Sequence, residues 1–162
     1  MHIAQMNVGT ALYDLDDARM ADFMNNLDRV NALAEASPGF VWRLQTEEGN
    51  ATDIKVTSDP RFIVNMSVWE DVPALFDYAF RSDHRSVMIR RREWFQKPEG
   101  PYLVLWWIEE GARPTVEEGL ARLAHLAQHG PTPYAFNFKT AFPAGNAEPL
   151  DLKPEPYCVG WA

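Results

Sequence analysis

The stretch from Arg61 to Glu70 constrains the chain most, because its two alternating faces differ in kind. Its even positions, Phe62, Val64, Met66 and Val68, are uniformly apolar, whereas Arg61, Ile63, Asn65, Ser67 and Trp69 make a mixed odd face. Successive side chains of a strand point to opposite sides, so this is a strand with one wholly apolar face. Three more strands are expected at His2–Val8, Phe40–Gln45 and Tyr102–Ile108, and Ile54–Val56 can pair briefly. Between them the period changes. Met20, Phe23, Met24, Leu27, Val30 and Ala34 recur at helical spacing, with Asp14 or Asp16 as the cap. Asp71 caps a helix through Phe80, Ser82-Asp83 interrupts it, and a second segment continues from His84 to Gln96. Thr115-Val116-Glu117-Glu118 is a capping box that opens a further helix to His129.

The order is strand–helix–strand, twice, with one helix appended. That predicts an α+β, ferredoxin-like split βαβ fold, a four-stranded antiparallel sheet with helices on one face. No glycine-rich loop follows any strand, so a doubly wound nucleotide-binding fold is not expected. The domain spans 1–140 and includes the appended helix 115–129. Residues 141–162 hold four of the 12 prolines and read as an irregular tail, which Tyr157 and Trp161 can pin. Two helices cover only one face of such a sheet. Leaving Phe62, Val64, Met66 and Val68 wet would forgo roughly 1.5–3 kcal/mol per large side chain, so a homodimer formed through that face is expected.

Composition narrows the partners. The net charge is −8 with 11 arginines among 15 basic residues, which argues against nucleic acid and anionic membranes. Residues 81–97 carry six basic against two acidic residues, leaving nine basic against 21 acidic, a net of −12, elsewhere. A basic patch on an acidic chain suits a small anionic ligand; its plain alternative is a solvated helix face. The single cysteine, Cys158, has no partner for an internal disulfide, and Met1-His2-Ile3-Ala4 does not resemble a signal peptide. A cytoplasmic protein is expected.

Particular stretches carry a family likeness: Met1-His2-Ile3-Ala4-Gln5, Pro38-Gly39-Phe40-Val41-Trp42-Arg43-Leu44, Asn65-Met66-Ser67-Val68-Trp69-Glu70, Arg90-Arg91-Arg92-Glu93-Trp94-Phe95 and Leu105-Trp106-Trp107. With them the chain resembles the domain-of-unknown-function 3291 branch of the dimeric α/β-barrel superfamily, which includes the antibiotic-biosynthesis monooxygenases. The resemblance implies a pocket between sheet and helices. In the cofactor-free monooxygenases an asparagine and a tryptophan four residues on bind a phenolic substrate; Asn65 and Trp69 reproduce that spacing, and Arg90 or Arg91 matches an arginine of the next helix. The tyrosine those enzymes place soon after the tryptophan has Leu75 near its position here. In heme-degrading relatives the iron-ligating histidine falls at or near Ile89, which cannot bind iron, and Asn7 matches an asparagine of the first strand. No cofactor is therefore expected, and heme is the alternative only through His84.

The helix from His84 adds a reading independent of the resemblance. At about 100° per residue, His84 and Arg91 fall in one stripe with Val87, Met88, Trp94 and Phe95. A titratable group on a core-facing stripe is costly unless paired. One reading makes His84 a general base or donor and Arg91 an anion-stabilising group; the other makes them a structural pair bonded to a carboxylate and to backbone. Asn65 and Trp69 share a strand face, either as ligand-orienting groups or as a core indole beside an edge amide. Asn7, Asn31 and Arg90 are further candidate substrate-binding residues. His125 and His129 point away from the apolar stripe of their helix, so no metal is expected there. The leading expectation is a metal-free pocket enzyme acting on an aromatic or enolisable metabolite, by oxygenation or by a related isomerisation or cyclisation. The alternatives are a non-catalytic dimeric binding or scaffold protein and a heme protein.

Overall fold

The structure is a computed structural model that describes residues 1–46, 51–52 and 56–150. Four strands, β1 (His2–Thr10), β2 (Phe40–Arg43), β3 (Phe62–Trp69) and β4 (Leu103–Ile108), form one antiparallel sheet in the order β2-β3-β1-β4. The helices are α1 (Ala21–Glu35), α2 (Val72–Arg81), α3 (His84–Arg90) and α4 (Val116–His129). This is the α+β, ferredoxin-like arrangement. Among the described residues no helix is long and apolar enough to cross a membrane. The brief pairing expected at Ile54–Val56 lies largely outside the described residues, as do Tyr157, Trp161 and Cys158.

Capping explains several element starts. The Asp71 carboxylate accepts from the Ala74 amide at 2.8 Å and the Thr115 hydroxyl from the Glu118 amide at 3.1 Å, each satisfying a free helix-start donor. Before α1 the cap falls on Asp17, not on Asp14 or Asp16. Its carboxylate accepts from the Arg19 amide and opens a 3₁₀ turn, Ala18–Met20, ahead of the helix.

The two sheet faces bury different sets of side chains. Ile3, Trp69 and Leu105 on the odd face pack under α1 and α2 with Leu75, Phe76 and Phe80. On the even face, Met6, Val64, Met66, Val68, Val104 and Trp106 pack with Leu126 of α4, flanked by Val116, Leu120 and Leu123. Here the structure corrects the reason given for a dimer. The appended helix lies across the apolar face, and Val64, Met66 and Val68 are already buried within one chain. Gly119 permits this approach, because a Cβ there would run into the Met6 thioether.

After α4 the chain folds round the β4 edge. Phe136 exchanges two backbone hydrogen bonds with Leu105, at 2.8 and 2.9 Å, and Trp107 Nε1 donates to the Phe142 carbonyl at 2.8 Å. The alternating Tyr134–Phe138 stretch thus pairs at the sheet edge by a single bridge. Ala141 and Phe142 are buried and the Leu150 amide donates back to Ala141, so ordered packing runs beyond residue 140.

Candidate functional site

A helix-covered sheet face is ordinarily apolar, yet four neighbouring positions of this odd face are Gln5, Asn7, Asn65 and Ser67. Above them the helices stand off the sheet and leave a cavity of about 590 Å³. That volume lies within the range of small-molecule sites. Asn65 shows the hollowness directly: it sits on an inner strand beneath helices and is nevertheless exposed. Phe23, Leu27 and Val30 of α1, Leu75 of α2, Val87 and Met88 of α3, and Phe95, Leu103 and Phe138 form the apolar walls.

The polar floor is joined by hydrogen bonds. Gln5 Nε2 donates to Asn65 Oδ1 at 3.0 Å and to Ser67 Oγ at 3.2 Å. The indole Nε1 of Trp69 donates to the same Ser67 Oγ at 2.9 Å. Trp69 is fully buried, outside the cavity lining, with Phe40 edge-on and Tyr78 stacked 4.9 Å away. The expectation that Trp69 stands beside Asn65 in the cavity is therefore corrected: among the described residues its indole N–H donates to Ser67 alone.

The break between α2 and α3 positions the cavity's histidine. The Ser82 hydroxyl donates to the Tyr78 carbonyl and accepts from the His84 amide, so one side chain ends α2 and starts α3. His84 Nδ1 lies 3.2 Å from the Ala79 carbonyl, which can only accept, so the neutral ring carries its proton on Nδ1 and its lone pair on Nε2. Burial pushes the His84 pKa down from its ordinary 6.5, partly offset by that bond. Tyr78 lines the same cavity; burial holds its hydroxyl well above the usual phenol range, although the Arg43 charge pulls the other way.

The helix begun at His84 ends at Arg90 and tightens into a 3₁₀ turn, Arg91–Glu93, before reaching Gln96. Even so, His84, Val87, Met88, Arg91, Trp94 and Phe95 all reach the cavity. Arg91 is half-buried, with its guanidinium 5.5 Å from the Tyr102 ring centre. Asn7 and Asn31 also line the cavity. Arg90 does not: it pairs on the surface with Asp22 at 2.9 Å and Glu93 at 2.8 Å. Ile89, where the resemblance places a heme ligand, is 62% exposed on the outside of α3. His125 bonds to Thr132 at 3.0 Å, and the described residues hold no cluster of three metal-binding side chains.

Gln5, Ser67, Tyr78 and Arg43 are lining residues that the sequence reading did not single out. The signal for Gln5 was its register: it shares the odd face with Asn7, opposite Ser67. Arg43, also opposite Ser67, forms an ion pair with Glu35 at 2.7 Å on the β2 side of the cavity.

Fold and cavity together define a ferredoxin-like α+β protein with a chamber between its sheet and helices. The chain belongs to the family described as Domain of unknown function (DUF3291), whose model matches residues 2–151. No curated protein matches it. Among solved structures it is similar to SnoaB, a cofactor-independent oxygenase from Streptomyces nogalater, at 20% identity over 72% of this chain and 98% of that one, with a TM-score of 0.47. It is also similar to a protein of unknown function from Nitrosomonas europaea, at 13% identity over 70% of this chain and 95% of that one, with a TM-score of 0.46.

Proposed function

We propose that the cavity is the active site of a small-molecule enzyme that oxygenates an aromatic or enolisable metabolite without a cofactor. The observation that carries this reading is His84, whose Nδ1 is held by Ala79 while Nε2 keeps its lone pair, in an apolar-walled chamber that also contains Asn65 and Arg91. A half-buried, neutral imidazole is a competent general base near pH 7. Nε2 takes a proton from an activated CH₂ group, and Arg91 stabilises the enolate or phenolate oxygen that results. Asn65 orients that oxygen. The electron-rich carbon then bonds to dioxygen, and the imidazolium returns its proton to the peroxide. Loss of water leaves a carbonyl, so one oxygen atom enters the product and the other leaves as water, with four electrons drawn from the CH₂ carbon. All the residues in this scheme come from one chain.

The test measures oxygen uptake and product mass for a panel of enolisable aromatic ketones and phenols. One dioxygen consumed per carbonyl formed, with turnover reduced by about 10²–10⁴ in His84→Gln, is the expected result. Saturable binding with no uptake in the whole panel would remove catalysis and leave the ligand-binding reading.

A further inference from the structure

We propose that Ser67, and not Trp69, meets the ligand on the cavity floor, and that Ser67 and Asn65 select molecules presenting a hydrogen-bond-accepting oxygen. This rests on the reading of the cavity as a binding site for aromatic molecules. The argument is one of hydrogen-bond capacity. A serine hydroxyl has two lone pairs and one proton. Trp69 Nε1 and Gln5 Nε2 both donate to Ser67 Oγ, at 2.9 and 3.2 Å, and so occupy both lone pairs. What remains is the hydroxyl proton. Ser67 lines the cavity and is only 7% exposed, so that proton has to be answered by whatever binds.

The same reasoning fixes its neighbours. Both Nε2 protons of Gln5 are committed, one to Ser67 and one to Asn65 Oδ1 at 3.0 Å. The Asn65 oxygen is thereby turned towards Gln5, and its Nδ2 donors remain for the cavity. Two donors thus stand two residues apart on one strand face, an arrangement suited to a ketone, enolate or phenolate oxygen and unsuited to an amine. Trp69 is a positioning residue in this scheme: its indole proton holds the serine oxygen and thereby aims the serine proton.

Two compounds of the same shape test the proposal. 2-Acetylnaphthalene offers a carbonyl oxygen where 2-isopropenylnaphthalene has a methylene carbon, and the ratio of their affinities is read by fluorescence titration. The wild-type protein is expected to favour the ketone by about five- to tenfold beyond the preference set by their partition from water. Ser67→Ala is expected to abolish most of that preference without weakening the alkene, Ser67→Thr to restore it, and Trp69→Phe to reduce it. A wild-type ratio no larger than partition overturns the proposal and needs no variant. So does a ratio unchanged in Ser67→Ala, or tighter binding of 2-naphthylamine than of the ketone. If neither naphthalene binds, the cavity reading itself fails and this inference fails with it.

Discussion

The ring of Tyr78 lies 4.7 Å from that of His84 at a tilt of 32°. Trp69 stacks on the same tyrosine, so an aromatic column runs from the sheet to the start of α3. An imidazole packed in this way is largely desolvated, and its charged form is the costlier one.

That cost sets a pH dependence. The folded chain holds His84 below its ordinary pKa of 6.5, so between the two values the unfolded chain binds more protons. Stability is therefore fully present above pH 6.5 and is lost as the pH falls towards the folded value. Melting curves at pH 7.5 and 5.5 are expected to show a drop on acidification that is smaller in His84→Gln. An equal drop in both proteins would show that His84 does not contribute.

The two adjacent arginines are expected to separate. Arg91→Met keeps an apolar stem and removes a charge from the cavity lining, so ligand affinity or turnover falls by about tenfold or more. Arg90→Met breaks the contacts to Asp22 and Glu93 outside the cavity and leaves ligand affinity unchanged. The reverse pattern in calorimetric titrations would move the site out of the chamber.

Gly119 and Met6 should behave as a size-coupled pair. Gly119→Val forces a branched side chain into the Met6 thioether and is expected to cost about 1–3 kcal/mol. Met6→Ala empties the same space and costs about 2–5 kcal/mol. In the double variant each change relieves the other, so denaturation should show less loss than the sum. Strict additivity would mean that α4 does not seat on Met6.

Met66→Lys places a charge between the sheet and α4, where Met66 is 1% exposed within a single chain. Unfolding is expected, with loss of the cooperative transition, whatever the oligomeric state of the wild type. Recovery of a folded protein that differs only in sedimentation would return this face to an intermolecular role.

The strand Arg61–Glu70 made most of the fold legible, because its alternation shows in side-chain chemistry alone. The observed strand, Phe62–Trp69, is one residue shorter at each end, and its partners, β1 and β2, are those of the ferredoxin-like order. The destination of α4 was not legible. An amphipathic helix declares that it covers something, not which face, and the apolar even register of β3 fits a second subunit and a local helix equally well. At the site, helical phase puts His84 and Arg91 on one stripe, and both side chains line the cavity despite the 3₁₀ turn at Arg91. The core place of Trp69 is not legible in the same way, because strand alternation gives the side of a residue but not the direction of its polar edge. Tyr78 was invisible because its place beside His84 depends on how Ser82 bends the chain.

The segment that bridges to Leu105 goes on to supply Phe138, which packs against Phe76 and Phe80 and forms part of the cavity wall. Cutting the chain after α4 would therefore remove more than an appendage. It would breach the chamber and bare the backbone of β4, turning a closed rim into a template for another chain's strand.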